Sequence, residues 1–170
     1  VELTETAHDL VEVVTGTGAL ETEPTQLAPV LQTTVEIARE AHPHAEFVLE
    51  EPIPELAVSA SDLLSSVFQN LLNNAVKHND ADDPRVKISA NVNDEHVRIS
   101  IADNGPGIPE DQKRHIFGKG QKGLESESTG IGLYLVETLV DNFGGDVRVE
   151  DNDPRGSIFI VELLPVGQVQ

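Results

Sequence analysis

Cysteine and tryptophan are absent from this 170-residue chain, and tyrosine occurs once. Lysine and arginine together number 11 against 30 aspartates and glutamates. Without cysteine there is no disulfide and no thiolate metal site, and the redox compartment leaves no mark. With aromatics at 4% and hydrophobic residues at 38%, a core has to be built from Val, Leu and Ile. No apolar run approaches the roughly 20 residues of a membrane-spanning helix. The net charge of −19 disfavours nucleic acid and an anionic membrane as partners.

The length predicts one domain of ordinary size with a substantial core. The acidic residues are spread along the chain rather than gathered in a tail. With Lys scarce, this is the surface expected of a protein from a high-salt cytoplasm, where screening weakens self-repulsion. The opening VELTETAHDL reads neither as a signal peptide nor as a natural start. It is expected to be an internal point in a longer, cytoplasmic part of a protein, and a membrane anchor elsewhere in that parent stays open.

Residues 61–78, SDLLSSVFQNLLNNAVKH, predict a helix with two different faces. Leu64, Phe68, Leu71, Leu72 and Ala75 cluster on the core-facing side. Asn70, Asn74, Lys77 and His78 fall within an arc of about 100° on another. Two carboxamides and an ammonium on adjacent turns suit a metal-bound polyphosphate. An exposed polar face would look the same.

Around this helix the spacing predicts alternating helices and short strands. A helix covers 1–14, a short strand 23–27, a helix 28–41 ended by His42-Pro43, and two strands 45–50 and 55–58. A hairpin follows, 86–92 with 97–101. A helix over 131–142, stopped by Phe143-Gly144-Gly145, precedes closing strands at 147–149 and 157–164. Helices mixed with antiparallel strand pairs point to an α+β layer with one sheet face covered by helices.

Three further stretches carry candidate chemistry. In Asp103-Asn104-Gly105-Pro106-Gly107-Ile108-Pro109, two glycines let the backbone take positive φ and approach a flat ligand. Asp103 at the strand mouth can accept a hydrogen bond from an exocyclic amine; a plain loop is the alternative. Ser128-Thr129-Gly130-Ile131-Gly132-Leu133 is read as opening a helix, where unpaired N–H groups and the dipole favour phosphate. Thr129 could equally be an N-cap there. Between them, Lys113, Arg114, Lys119 and Lys122 lie within ten residues, among Gly118, Gly120 and Gly123. That suits a mobile lid over an anionic ligand, although the cations could merely balance Glu110, Asp111, Glu125 and Glu127. The six histidines form no metal-ligand spacing. His8 sits on the first helix with no supporting pattern, and His42 and His44 are expected to be solvated in a turn.

These pieces in this order resemble the ATP-binding catalytic domain of sensor histidine kinases (HATPase_c), in the GHKL superfamily shared with gyrase-, Hsp90- and MutL-type ATPases. Asn70-x-x-x-Asn74-Ala75-x-Lys77-His78 resembles the N box and Asp103-x-Gly105-x-Gly107-Ile108 the G1 box. Ile116-Phe117 is similar to the start of the F box, and Thr129-Gly130-Ile131-Gly132-Leu133 to the G2 box. The ending Gly144-Gly145 … Gly156-Ser157-x-Phe159 … Leu164-Pro165 resembles the family's last strands. The likeness covers about residues 20 to 165.

The resemblance implies a two-layer α/β sandwich of the Bergerat type, a mixed and mostly antiparallel sheet with helices on one face. It implies ATP and Mg²⁺ as ligands. Asp103 would bind the adenine amino group. Asn74 with Asn70 would serve the metal and phosphates, Lys77 would touch phosphate, and His78 would lie near the nucleotide. Thr129, Gly130, Ile131, Gly132 and Leu133 would line the phosphate side, and residues 109–128, with Lys119 and Lys122, would form the lid. No side chain of this stretch is implied to be catalytic by itself. Residues 1–18 would end a preceding dimerisation and phosphoacceptor domain, and 19–170 would be the catalytic domain. Its partners would be that helical domain and, through it, a response regulator, with no nucleic acid and no membrane contact by this stretch. Ser128 departs from the usual first Gly of the G2 box and Gly120 from a second Phe of the F box. No H box with a phosphoacceptor His is present. Relatives that hydrolyse ATP carry Glu where Asn70 stands, and Asn cannot take a proton at neutral pH.

Overall fold

The computed structural model of the chain describes residues 22–77, 79–93, 95–113, 127–153 and 155–166, with the backbone alone for 127–132. The expected helix over 1–14, and with it the boundary at residue 18, lies outside these residues.

Strand β1 (Glu23–Gln26) leads directly into helix α1 (Leu27–Ala41). Leu27, Leu31, Val35 and Ala38 recur at helical spacing and are all buried, the spacing by which a helix packs one face. No side chain caps its start; the Leu27 N–H donates to the Leu56 carbonyl instead. At its far end Arg39 donates through Nε and Nη2 to the Phe47 carbonyl, at 3.3 and 3.0 Å, tying α1 to strand β2 (Glu46–Leu49). Strand β3 (Ala57–Ala60) follows.

Helix α2 (Leu64–Lys77) starts three residues later than its periodicity predicts. The Ser61 hydroxyl accepts from the Leu63 N–H, and Ser61–Leu63 form a turn before the first helical residue. This is the local hydrogen bonding with which serine competes against helix. Seven side chains of α2 are buried, the five expected plus Val67 and Val76. Each fully buried Leu or Phe contributes about 1.5–3 kcal/mol of transfer free energy, so α2 is held by packing rather than propensity. It lies between α1 and α4 (Glu127–Asn142) and over β4 (Arg85–Val92) and β5 (Val97–Asp103). A single turn of helix, α3 (Glu110–Lys113), follows β5. Strands β6 (Asp146–Asp151), β7 (Ser157–Leu163) and β8 (Pro165–Val166) close the described chain.

The main sheet has five strands in the order β2-β4-β5-β7-β6. All its pairs are antiparallel except β2 with β4. Register puts Val86 and Ile88 opposite Asp103 and Ile101, and Ile101, Ile99 and Val97 opposite Phe159, Val161 and Leu163. These residues are buried and form one face, under α1, α2 and α4. The other face carries ion pairs such as Arg98 with the largely covered Glu162 (2.9 Å) and Lys87 with Glu50 (2.9 Å), the latter exposed enough to add little stability. The architecture is therefore the mixed α/β layer that the pattern and the resemblance implied.

A second, three-stranded sheet, β1-β3-β8, was not expected. The sequence marks β1 and β3, but β8 is two residues long and pairs only Ala57 with Val166 and Val58 with Pro165, too short to leave a period. Helix α4 also begins four residues before its expected start, so Thr129 lies inside its first turn rather than capping it. Glycine disfavours helix interiors by about 1 kcal/mol, which is why Gly130 looked like a boundary. Buried Leu133, Leu135, Val136, Leu139 and Val140 further along supply packing that offsets it.

Candidate functional site

Along β5 the buried positions run Val97, Ile99, Ile101 and then Asp103. Two-residue alternation therefore carries a carboxylate to the end of an apolar row. Asp103 is only 8% exposed. Its Oδ1 accepts from the Gly105 N–H at 2.9 Å and from the Ser157 N–H at 3.2 Å. Among the described residues Oδ2 has no partner. No buried polar side-chain atom there is left unsatisfied, so Oδ2 is reached from the cleft that Asp103 lines. Burial raises the Asp103 pKa above the ordinary carboxylate value, opposed by the two N–H bonds and by the charge of Arg155.

The cleft encloses about 290 Å³ between its walls, the open solvent at its mouth included. Asn74 and Ala75 come to it from α2, Asp103 from β5, Pro106, Gly107 and Ile108 from the following loop, and Ser157 and Phe159 from β7. The structure thus joins two of the sequence-marked groups, the Asn-bearing helix and the Asp-Gly loop, in one cavity. Its walls combine one carboxylate, one carboxamide, backbone, and the apolar flanks of Ala75, Ile108 and Phe159. That set suits a flat heterocycle with a hydrogen-bond donor on its edge.

The remaining marked residues fall as follows. Asn70 is half-buried on α2, and its Nδ2 donates to the Ser66 carbonyl at 2.7 Å; it is not among the residues lining the cleft. Lys77 is exposed in the last turn of α2. His78, Lys119 and Lys122 lie outside the described residues. Thr129, Gly130, Ile131 and Gly132 are helical backbone in the first turns of α4, and Leu133 is 2% exposed in the core. Only Gly107 of the loop pair has positive φ, +84°. Gly105 does not; it is needed for closeness, because a Cβ there would stand 3.2 Å from Asp103 Oδ1 and 3.4 Å from the Asn79 Cα.

One expectation is corrected and one alternative is decided. His42 is half-buried rather than solvated, with Nε2 2.9 Å from Asn73 Oδ1 and its ring edge-on to His44. Lys113, counted among the lid cations, is engaged by Asp151 (2.7 Å) and Glu110 (2.9 Å). Those two bonds, Asp151 first, raise its pKa. For this residue, balancing nearby acid is what the structure shows.

Sequence reasoning missed the frame around Asp103. The Asn152 Nδ2 donates to the Asp103 carbonyl at 2.8 Å. The Asn104 Oδ1 accepts from Asn79 Nδ2 (2.8 Å) and the Arg85 N–H (3.0 Å), while its own Nδ2 donates to the Asp83 carbonyl. Arg155 donates through Nε to the Gly105 carbonyl and through Nη2 to Asp80. Residues 153–156 read in the sequence as a turn between the closing strands, with Gly156 also part of the resemblance. Nothing in one sequence pairs them with a residue some fifty positions earlier.

Comparison with known proteins bears on the family and the fold. The family model for histidine kinase-, DNA gyrase B- and HSP90-like ATPases matches residues 59–168. The chain is 33% identical over 134 residues to the sensor histidine kinase AruS of Pseudomonas aeruginosa, across 74% of this chain and 13% of that protein. It superposes on a solved mycobacterial sensor histidine kinase, MprB, with a TM-score of 0.74 at 25% identity, covering 85% of this chain and 97% of that one. Against full-length ShkA in complex with AMPPNP the TM-score is 0.78 at 26% identity, over 96% of this chain and 36% of that one. The chain spans 13% of the length of AruS and 36% of that of the Escherichia coli histidine kinase BaeS, which it also matches. No described helix is long and apolar enough to cross a membrane.

Proposed function

The chain belongs to the family of histidine kinase-, DNA gyrase B- and HSP90-like ATPases, and from that membership we propose that it binds Mg-ATP and supplies the phosphoryl group for histidine phosphorylation in a two-component sensor kinase. The observation that carries this reading is the meeting of Asn74 and Asp103 across one cleft with Gly107 and Ile108.

In this reading Asp103 Oδ2, open to the cleft, accepts from the exocyclic amine of adenine, while Ile108, Ala75 and Phe159 flank the ring. Gly107 keeps the loop backbone close to it. A side chain at that φ would be strained, and its Cβ would stand 3.4 Å from the Gly156 carbonyl. The base sits at this open cleft, and the phosphates extend from it past Asn74 and Asn70 toward the first turns of α4. The backbone of Thr129, Gly130, Ile131 and Gly132 is assigned there, Leu133 supports it from the core, and Lys77, with His78, Lys119 and Lys122 by their place in the sequence, supplies the cations.

The donor set fits Mg²⁺. A hard cation takes oxygen ligands and keeps several waters beside substrate phosphates, and Asn74 and Asn70 offer carboxamide oxygens. Among the described residues no three His, Asp or Glu side chains converge on a point, which leaves the phosphates as the anionic ligands. Bound Mg²⁺ offsets the charge that spreads over the transferred phosphoryl group. The chain's own residues hold and orient the nucleotide, and the acceptor histidine stands on a separate helical domain that passes the group to a response regulator. Asn70 in place of a basic carboxylate argues for transfer over hydrolysis.

The experiment mixes the chain with γ-labelled ATP, Mg²⁺ and the phosphoacceptor domain of its parent. Acid-labile, base-stable label on that domain is the expected result. Phosphate release at the same rate with and without the acceptor would instead mark an ATPase switch.

A further inference from the structure

Three segments meet behind Asp103: the end of α2 with Asn79 and Asp80, the loop from Asp103 to Gly107, and the β6–β7 turn with Asn152, Arg155 and Gly156. Among the described residues, Arg155 is the one side chain hydrogen-bonded to the first two from the third. Its Nε donates to the Gly105 carbonyl at 2.7 Å and its Nη2 to Asp80 Oδ1 at 2.6 Å. Gly156 follows it at φ +108°, and a Cβ there would overlap the Asp103 carbonyl oxygen. The turn is thus pressed onto the end of β5. Arg155 does not line the cleft.

We propose that Arg155 is a positioning residue for recognition of the nucleobase, fixing the Gly105 carbonyl and the end of α2 so that the Asp103 carboxylate faces the cleft. The planar guanidinium is suited to this. Its donors lie in one rigid fork and reach a carbonyl and a carboxylate together, which an ammonium on a flexible stem does not. A second consequence follows from its charge. Toward Asp103, β4 and β7 present Val86 and Ser157, α2 presents Asn74 and Ala75, and the β6–β7 turn presents Arg155. Among the described residues Arg155 is the charge that favours ionised Asp103, with Asp80 standing behind it. Losing it leaves burial less opposed.

The proposal rests on the nucleotide reading above, and its test separates the two. The 170-residue chain and its R155A, R155K and D80N variants are titrated calorimetrically with adenosine and with ADP between about pH 4 and 8, from the ordinary aspartate pKa upward. Thermal melts run alongside. R155A is expected to weaken adenosine and ADP by a common factor of about ten, the scale of a lost charge-assisted hydrogen bond, and to move the acidic loss of adenosine affinity to higher pH. R155K restores the pH position and only part of the affinity. D80N gives the smaller loss, since it slackens one arm of the fork.

A melt lowered in R155A with adenosine affinity and its pH profile unchanged would overturn the proposal and leave the nucleotide reading standing. Should R155A not melt cooperatively, R155K and D80N decide it: both binding adenosine as the unaltered chain does overturns it. No binding of either ligand by the unaltered chain removes the nucleotide reading and this proposal with it.

Discussion

A β-carbon at Gly156 would occupy the space of the Asp103 carbonyl oxygen. The turn between β6 and β7 is therefore in direct contact with the strand end that carries the cleft's carboxylate. Gly156 also holds φ at +108°, where side-chain-bearing residues are strained by about 1–3 kcal/mol. G156A should lower unfolding free energy in urea by at least that amount and weaken nucleotide binding in the fraction that stays folded. A stability within about 0.5 kcal/mol of the unaltered chain would mean that the turn stands off the strand.

Replacing Asp103 with Asn should separate stability from binding. Burial raises the pKa of Asp103, so the native state holds its proton more tightly than the unfolded chain does. Stability from this group therefore declines as pH rises from the ordinary aspartate range through the raised value. D103N keeps an oxygen for the Gly105 and Ser157 N–H groups and removes the buried charge. Its melting temperature at neutral pH should rise, at about 2–4 °C per kcal/mol for a chain of this size. The cleft-facing atom becomes a donor, so preference for ATP over GTP should disappear. A lower melting temperature with selectivity intact would contradict the role.

The same raised pKa fixes the pH profile of binding. Only ionised Asp103 offers an acceptor without a competing proton. As pH falls through the raised value the carboxyl is protonated and affinity for adenine nucleotides drops. The loss should begin at higher pH than a solvent-exposed aspartate gives, and calorimetric titrations at successive pH values check it. A flat profile down to the ordinary carboxylate range would show that Asp103 does not contact the base.

Asn74 lines the cleft from α2 and is half-buried, so truncation leaves the helix intact. N74A should lose the Mg²⁺-dependent part of ATP affinity, roughly tenfold or more on the scale of a hydrogen bond to a charged group. Adenosine affinity should change less. Equal losses for ATP and adenosine would place Asn74 at the base rather than at the metal.

Much of this was legible before any coordinates. The apolar stripe of α2 and the alternation of β4 and β5 are local patterns, and each fell within a few residues of its predicted place. So did the candidate pair, because Asn74 and Asp103 sit at fixed phases of those patterns. Where local chemistry competed with packing, the reading slipped: Ser61 formed a turn where helix was expected, and Gly130 lay within helix where a boundary was expected. The frame around Asp103 could not be read at all. Asn152, Arg155 and Gly156 look like ordinary turn residues, and their contacts with Asp103, Gly105 and Asp80 are set by how β6, β7 and β5 align. His42 was misplaced for a related reason, since its partner Asn73 is distant in sequence.

The most direct measurement is a calorimetric titration of the chain with AMPPNP, with and without Mg²⁺, beside the same titration with the guanine analogue. One saturable site per chain, tightened by Mg²⁺ and much weaker for guanine, is the predicted result. No heat with AMPPNP in the presence of Mg²⁺, or equal affinity for the two bases, would contradict the claim that Asn74 and Asp103 form one adenine-nucleotide site.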